Sequence, residues 1–97
     1  MRFQLLNLLV DEIATQLPKE FRYLLLACYR HADAKGRFRV SNGRLADACG
    51  VSSRTIVRQM SYLSATGVIR LEKEHIGPLP RLYRITGQPP RYADDDE

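Results

Sequence analysis

Apolar residues recur along the first sixteen positions at helical spacing. Leu5, Leu8, Leu9 and Ile13 form a stripe, and Leu6, Val10 and Leu17 widen it. This predicts a helix over residues 3–16, ended by Pro18, because the residue before proline avoids the helical region. Pro18 and Glu20 suit the start of a second helix over about 18–34. Phe21, Leu24, Leu25, Cys28 and Ala32 make its inner face, with Leu26 and Tyr29 expected to lie off that face, against the first helix. Gly36 breaks the pattern. Residues 37–40 then alternate, Phe38 and Val40 opposite Arg37 and Arg39, as in a short half-buried strand.

The next stretch reads as two short helices and a tight turn. Ser41 is a good N-cap for a helix over 42–49, with Leu45, Ala46 and Cys49 inward. Gly50 ends it in a conformation of positive φ that glycine adopts cheaply. Ser52 caps a fourth helix over 53–66, whose inner face is Ile56, Met60 and Leu63 at i, i+4 and i+7. After Gly67, residues 68–74 and 81–86 alternate as strands around a loop with Gly77, Pro78 and Pro80, which predicts a hairpin. Residues 87–97 contain Pro89, Pro90 and the acidic run Asp94, Asp95, Asp96 and Glu97, with little to bury. They are expected to form a disordered tail.

Charge changes this picture through its placement. The chain of 97 residues carries a net +4. Residues 1–34 balance. Residues 35–84 hold ten basic side chains, eight of them Arg, against three acidic ones, a net +7; residues 85–97 carry −3. Arg suits forked contacts to phosphate and guanine. No acidic residue falls between 48 and 71. Arg54 and Arg58, four apart, share one surface of the fourth helix, flanked by Ser53 and Gln59. Ser52 and Thr55 stand near its N-terminus, where backbone amides favour an anion. Ser41 and Arg44 open the supporting helix, where capping and phosphate contact are both open to them. The acidic tail beside the basic segment serves either solubility or competition with DNA for that segment.

Several segments resemble the winged helix-turn-helix superfamily, which includes MarR-type and GntR-type regulators and the DNA-binding domains of phage and plasmid replication proteins. They are Leu45-Ala46, Gly50-Val51-Ser52, Thr55-Ile56, Leu63, Gly67-Val68-Ile69 and the final Arg81, Tyr83, Ile85 and Thr86. The resemblance spans about residues 18–86. It implies a mainly α fold with a small β-hairpin, here preceded by an extra N-terminal helix. It also implies sequence-specific binding of double-stranded DNA, with helix 52–66 in the major groove. Ser53, Arg54 and Arg58 would face base edges, with Gln59 at the border. Lys73, His75, Arg81 and Arg84 of the wing over 68–86 would meet backbone or minor groove. The expected organisation is an N-terminal helix over 1–17, the DNA-binding domain over 18–86 and the tail over 87–97.

A transcriptional regulator is the first expectation, and a plasmid or phage replication or maintenance factor the alternative within DNA binding. A protein-interaction module is the rival of another class, favoured by the leucine stripe and by Ile76 and Leu79 at the wing tip. That stripe is wide enough to suggest a homodimer through the first helix, as well as a cover for the core. No nucleophile–base pair, phosphate-cradling loop or metal set stands out, so neither an enzyme nor a cofactor is expected. Cys28 and Cys49 read as free apolar thiols, and Cys28 with His31 lacks the further ligands of a metal site. The apolar run 5–10 is too short to span a bilayer, and no small-residue cleavage site follows it. A cytoplasmic, nucleoid-associated protein is expected.

Overall fold

Apolar residues spaced four apart overshoot one turn of an α-helix, so a straight helix would let residues 5, 9, 13 and 17 drift around its axis. The computed structural model, which describes residues 2–91 and side chains from Leu5 onward, resolves that drift by changing the helix. The single helix expected over 3–16 is three pieces: α1 (Arg2–Leu8), a wider π-helical turn (Leu9–Ile13) and a 3₁₀ turn (Ala14–Gln16). The π turn holds a four-residue step close to one face. Leu9, Ile13 and Leu17 are buried as a result, and Leu5 and Leu8 pack on the same core. Leu5 lies against Gly36 and Leu8 against Gly87. Val10 points outward and Leu6 is half-buried.

Helix α2 (Lys19–Arg30) buries Leu24, Leu25, Ala27 and Cys28. It stops short of the expected residue 34 because the Asp33 carboxylate takes over the backbone that follows. It accepts hydrogen bonds from the Lys35 and Arg37 N–H groups at 2.8 and 3.0 Å and pairs with the Arg37 guanidinium at 3.3 Å. Those donors, the Arg37 amide foremost, hold the Asp33 carboxyl below the usual carboxylate range. Leu26 lines a shallow depression with Tyr23, Arg30, His31 and, from the following helix, Ala48.

Strand β1 (Arg37–Arg39) leads to α3 (Asn42–Cys49) and α4 (Ser53–Ala65), which lie close to the sequence expectation. Strands β2 (Ile69–Lys73) and β3 (Leu82–Ile85) follow. The expected hairpin is part of a larger unit. Among the described residues three strands form an antiparallel sheet in the order β1-β3-β2. Phe38 faces Tyr83 and Ile69 faces Ile85, with a register shift between Leu71 and Lys73. Gly36, at φ 81°, makes the first pairing possible: its carbonyl accepts the Ile85 N–H at 2.8 Å, and a Cβ there would sit 3.0 Å from the Ile85 carbonyl oxygen. Phe38, Val68, Ile69 and Ile85 close one side of a core whose other walls are Leu9, Ile13, Leu24, Leu45, Ile56 and Leu63.

A ring contact helps to seat α4 within this frame. The Phe21 and Tyr62 rings stack at 4.3 Å, setting α2 on α4. Beyond α4, the Thr86 hydroxyl donates to the Gly67 carbonyl at 2.7 Å and the Thr86 N–H to the Val68 carbonyl at 3.0 Å, so the end of β3 clamps the entry to β2. The expected tail does not begin at Gly87. Pro90 is buried, and the Arg91 N–H donates to the Thr66 carbonyl at 2.8 Å, beside the end of α4. Residues 92–97, with the acidic run, lie outside the described residues. Among those described, no helix is long and apolar enough to cross a membrane.

Candidate nucleic-acid interface

Helices α3 and α4 are joined by Gly50, Val51 and Ser52, and each end of the turn is held by its own chemistry. Ser41 Oγ accepts the Arg44 N–H at 3.2 Å at the head of α3. Gly50 takes the left-handed conformation at φ 69°, and the Val51 N–H returns to the Ala46 carbonyl at 3.1 Å. Ser52 Oγ accepts the Thr55 N–H at 3.2 Å and lies 3.1 Å from Thr55 Oγ1. Both serines are thus engaged in capping, and Thr55 is half-buried with its hydroxyl on Ser52.

With Ile56, Met60 and Leu63 buried, α4 turns Ser53, Arg54, Val57, Arg58 and Ser61 to solvent. Gln59 is half-buried at the margin of that surface, and Arg44 is exposed on α3. Among the described residues, neither Arg54 nor Arg58 has an ion-pair partner, and the same holds for Arg44.

The sheet treats its cations differently. Arg81 pairs with Glu74 at 2.9 Å, and hydrogen bonding to Tyr83 and to Glu74 raises the pKa of its guanidinium further. Glu72 collects two partners, Arg84 at 3.3 Å and Arg70 at 3.9 Å. Arg39 donates to the Pro80 carbonyl at 2.6 Å, tying β1 to the loop between β2 and β3. Of the four residues singled out from the sequence in the strands and their loop, Arg81 and Arg84 are therefore committed to neighbouring carboxylates. Lys73 and His75 are exposed without an ion pair among the described residues. Surface pairs of this kind are weak, about 0.2–1 kcal/mol each, so a stronger anion can displace them.

Between α4 and the sheet runs a groove of about 460 Å³, lined by Asn42, Val57, His75, Leu79, Arg81 and Tyr83 among others. It adjoins a second depression of about 310 Å³ that shares Asn42, Val57, Arg81 and Tyr83 and extends to Ser61 and Leu71. Val57, 51% exposed, stands on the ridge between the groove and the Arg54/Arg58 surface. Sequence reasoning passed over Val57. The signal was present: an apolar residue off the 56/60/63 face, three after Arg54 and one before Arg58.

The two thiols are free. Burial pushes the pKa of Cys28 far up, helped by Cys49 nearby, and burial raises the half-buried Cys49 as well.

Comparison with known proteins returned no matching family model, no matching curated protein and no matching solved structure.

Proposed function

We propose that the chain is a winged helix-turn-helix protein: α3 and α4 form the helix-turn-helix, and β2, β3 and their loop form the wing. Its function is sequence-specific binding of double-stranded DNA, as a transcriptional regulator acting at the nucleoid. Helix α4 enters the major groove, with Arg54, Arg58 and Ser53 at base edges and Gln59 at the border. Ser41, Arg44, Ser52 and Thr55 lie toward phosphate, and Lys73, His75, Arg81 and Arg84 toward the flanking backbone or minor groove.

The observation that carries this reading is the contrast in how the arginines are used. The sheet and its loop neutralise Arg70, Arg81 and Arg84 with Glu72 and Glu74, whereas α4 leaves Arg54 and Arg58 unpaired among the described residues, on the outer face of a helix whose inner face is buried. Holding two long cations apart from any carboxylate favours an anionic partner. Placing them one turn apart on a capped helix suits forked hydrogen bonds to guanine. A homodimer through the first helix is not required. Among the described side chains, the leucine stripe is largely spent on the core, and Val10 and the exposed part of Leu6 remain for a partner.

The test is selection from a random-sequence duplex pool with wild type and with Arg54→Ala/Arg58→Ala, at about 50 and 200 mM salt, where phosphate contacts show their dependence. Wild type is expected to enrich one motif and the double variant to lose it. Absence of duplex binding at low salt would overturn the reading and leave the groove beside Val57, Leu71 and Leu79 as a surface for protein.

A further inference from the structure

Val57 is a costly choice for a solvated helix surface. It is β-branched, so it forms helix less readily than the straight-chain residues that usually fill such positions, and half of it is open to water. Its inner neighbours do not need it, because Ile56, Met60 and Leu63 already bury the core face of α4. Its immediate surroundings on the outer face are Arg54 one turn before, Arg58 next to it and Ser61 one turn after, all exposed.

We infer that Val57 is a specificity-determining residue that packs on the C5-methyl group of a thymine, within two base pairs of the guanine gripped by Arg54. The inference rests on the DNA-binding reading above and adds a base to it. In the major groove thymine is the base that offers an apolar group, and apolar side chains recognise it by contact. Residues three apart on a helix have Cβ atoms about 5–6 Å from each other, and successive base pairs rise about 3.4 Å. Val57 therefore reaches one or two steps from the Arg54 contact. The exposed valine methyls sit against solvent in the free protein and against the thymine methyl in the complex, so binding removes apolar surface on both sides. Neither Arg54 nor Arg58 is drawn to an acidic partner among the described residues, so both remain available on the same surface as Val57.

The experiment takes the duplex enriched by wild type and replaces its thymines one at a time by deoxyuridine, which removes the C5-methyl and nothing else. One replacement is expected to weaken wild-type binding about fourfold, the effect of losing one buried methyl group. Val57→Ala should bind the unmodified duplex about fourfold or more weakly than wild type and be indifferent to that same replacement. Val57→Thr, which keeps a γ-methyl group, should remain sensitive to it. Because residue 57 is half exposed and Ala favours helix, the variants keep the fold, which circular dichroism and the melting temperature verify. If every deoxyuridine duplex binds wild type as well as its parent does, or if Val57→Ala retains the full loss, the thymine contact is overturned while DNA binding stands. If wild type enriches no duplex, the underlying reading fails and the contact with it.

Discussion

Arg54 and Arg58 contrast with Arg37, Arg70, Arg81 and Arg84 in one respect that can be measured: replacing either disturbs no ion pair among the described residues. Arg54→Ala and Arg58→Ala are therefore expected to leave the melting temperature unchanged. Each should cost about 1–3 kcal/mol of discrimination for the enriched site over a mismatched one, the value of a good forked contact to a base. Titration of both variants against matched and mismatched duplexes checks this. Cys28 supports a second prediction at the same scale. Its thiol is fully buried with its pKa driven up, so a thiol reagent at about pH 8 should leave it untouched in the native protein. It should label only on global unfolding, whereas Cys49, half-buried, labels earlier. Early labelling of Cys28 would show that the core between α2 and α3 opens locally. Asp33 adds a pH dependence with a definite sign. Its carboxyl is depressed in the fold, so its contribution is complete above the ordinary carboxylate range and is lost as pH falls through the depressed value. Asp33→Asn should flatten the acid side of the stability profile.

At the scale of elements, the two serine caps are alike in geometry, and their removal separates stability from recognition. Ser52→Ala removes the acceptor for the Thr55 N–H and should destabilise the protein by about 1 kcal/mol, read by denaturant midpoint with an unchanged slope. The sheet gives a sharper expectation. Glu72 holds Arg70 and Arg84, so Glu72→Gln releases both cations on the outer face of the sheet, opposite the face that Leu71 and Tyr83 turn toward α4. Binding to unselected duplex at low salt should tighten a few-fold, in keeping with surface pairs worth about 0.2–1 kcal/mol each. Preference for the enriched site should not improve, because phosphate contacts position without specifying. An unchanged affinity would place β2 and β3 away from the DNA.

For the whole molecule, the sequence sets a positive body against an acidic end. Chain truncation after Arg91 removes Asp94, Asp95, Asp96 and Glu97 and takes the net charge from +4 to +8. Faster and tighter association with duplex is expected at low salt, with the difference shrinking as salt rises. The cut belongs after Arg91 and not at residue 88, since Pro90 is buried and the Arg91 N–H is bonded to Thr66. Equal affinity at low salt would assign the acidic run to solubility alone.

What the sequence determined by itself are features that depend on neighbours along the chain. Ser41, Gly50 and Ser52 set the bounds of α3 and α4 through caps and a left-handed turn, and the spacing of Ile56, Met60 and Leu63 fixes which side of α4 faces outward. Those local rules placed Arg54 and Arg58 on one open surface before any tertiary contact was considered. What only the tertiary structure decided are pairings between distant positions. The alternation at residues 37–40 marked a strand, but its partner is chosen by Gly36 meeting Ile85 across the chain. The leucine stripe marked a helix, but that Leu5 lies beside Gly36 and Leu8 beside Gly87 is set by segments far along the chain. Arg81 and Arg84 resembled Arg54 and Arg58 as letters, and the sheet register gave them carboxylates while α4 offered none. Periodicity and caps are carried by residues a turn apart; ion pairs, strand order and the exposure of Val57 depend on residues the chain brings together only when it folds.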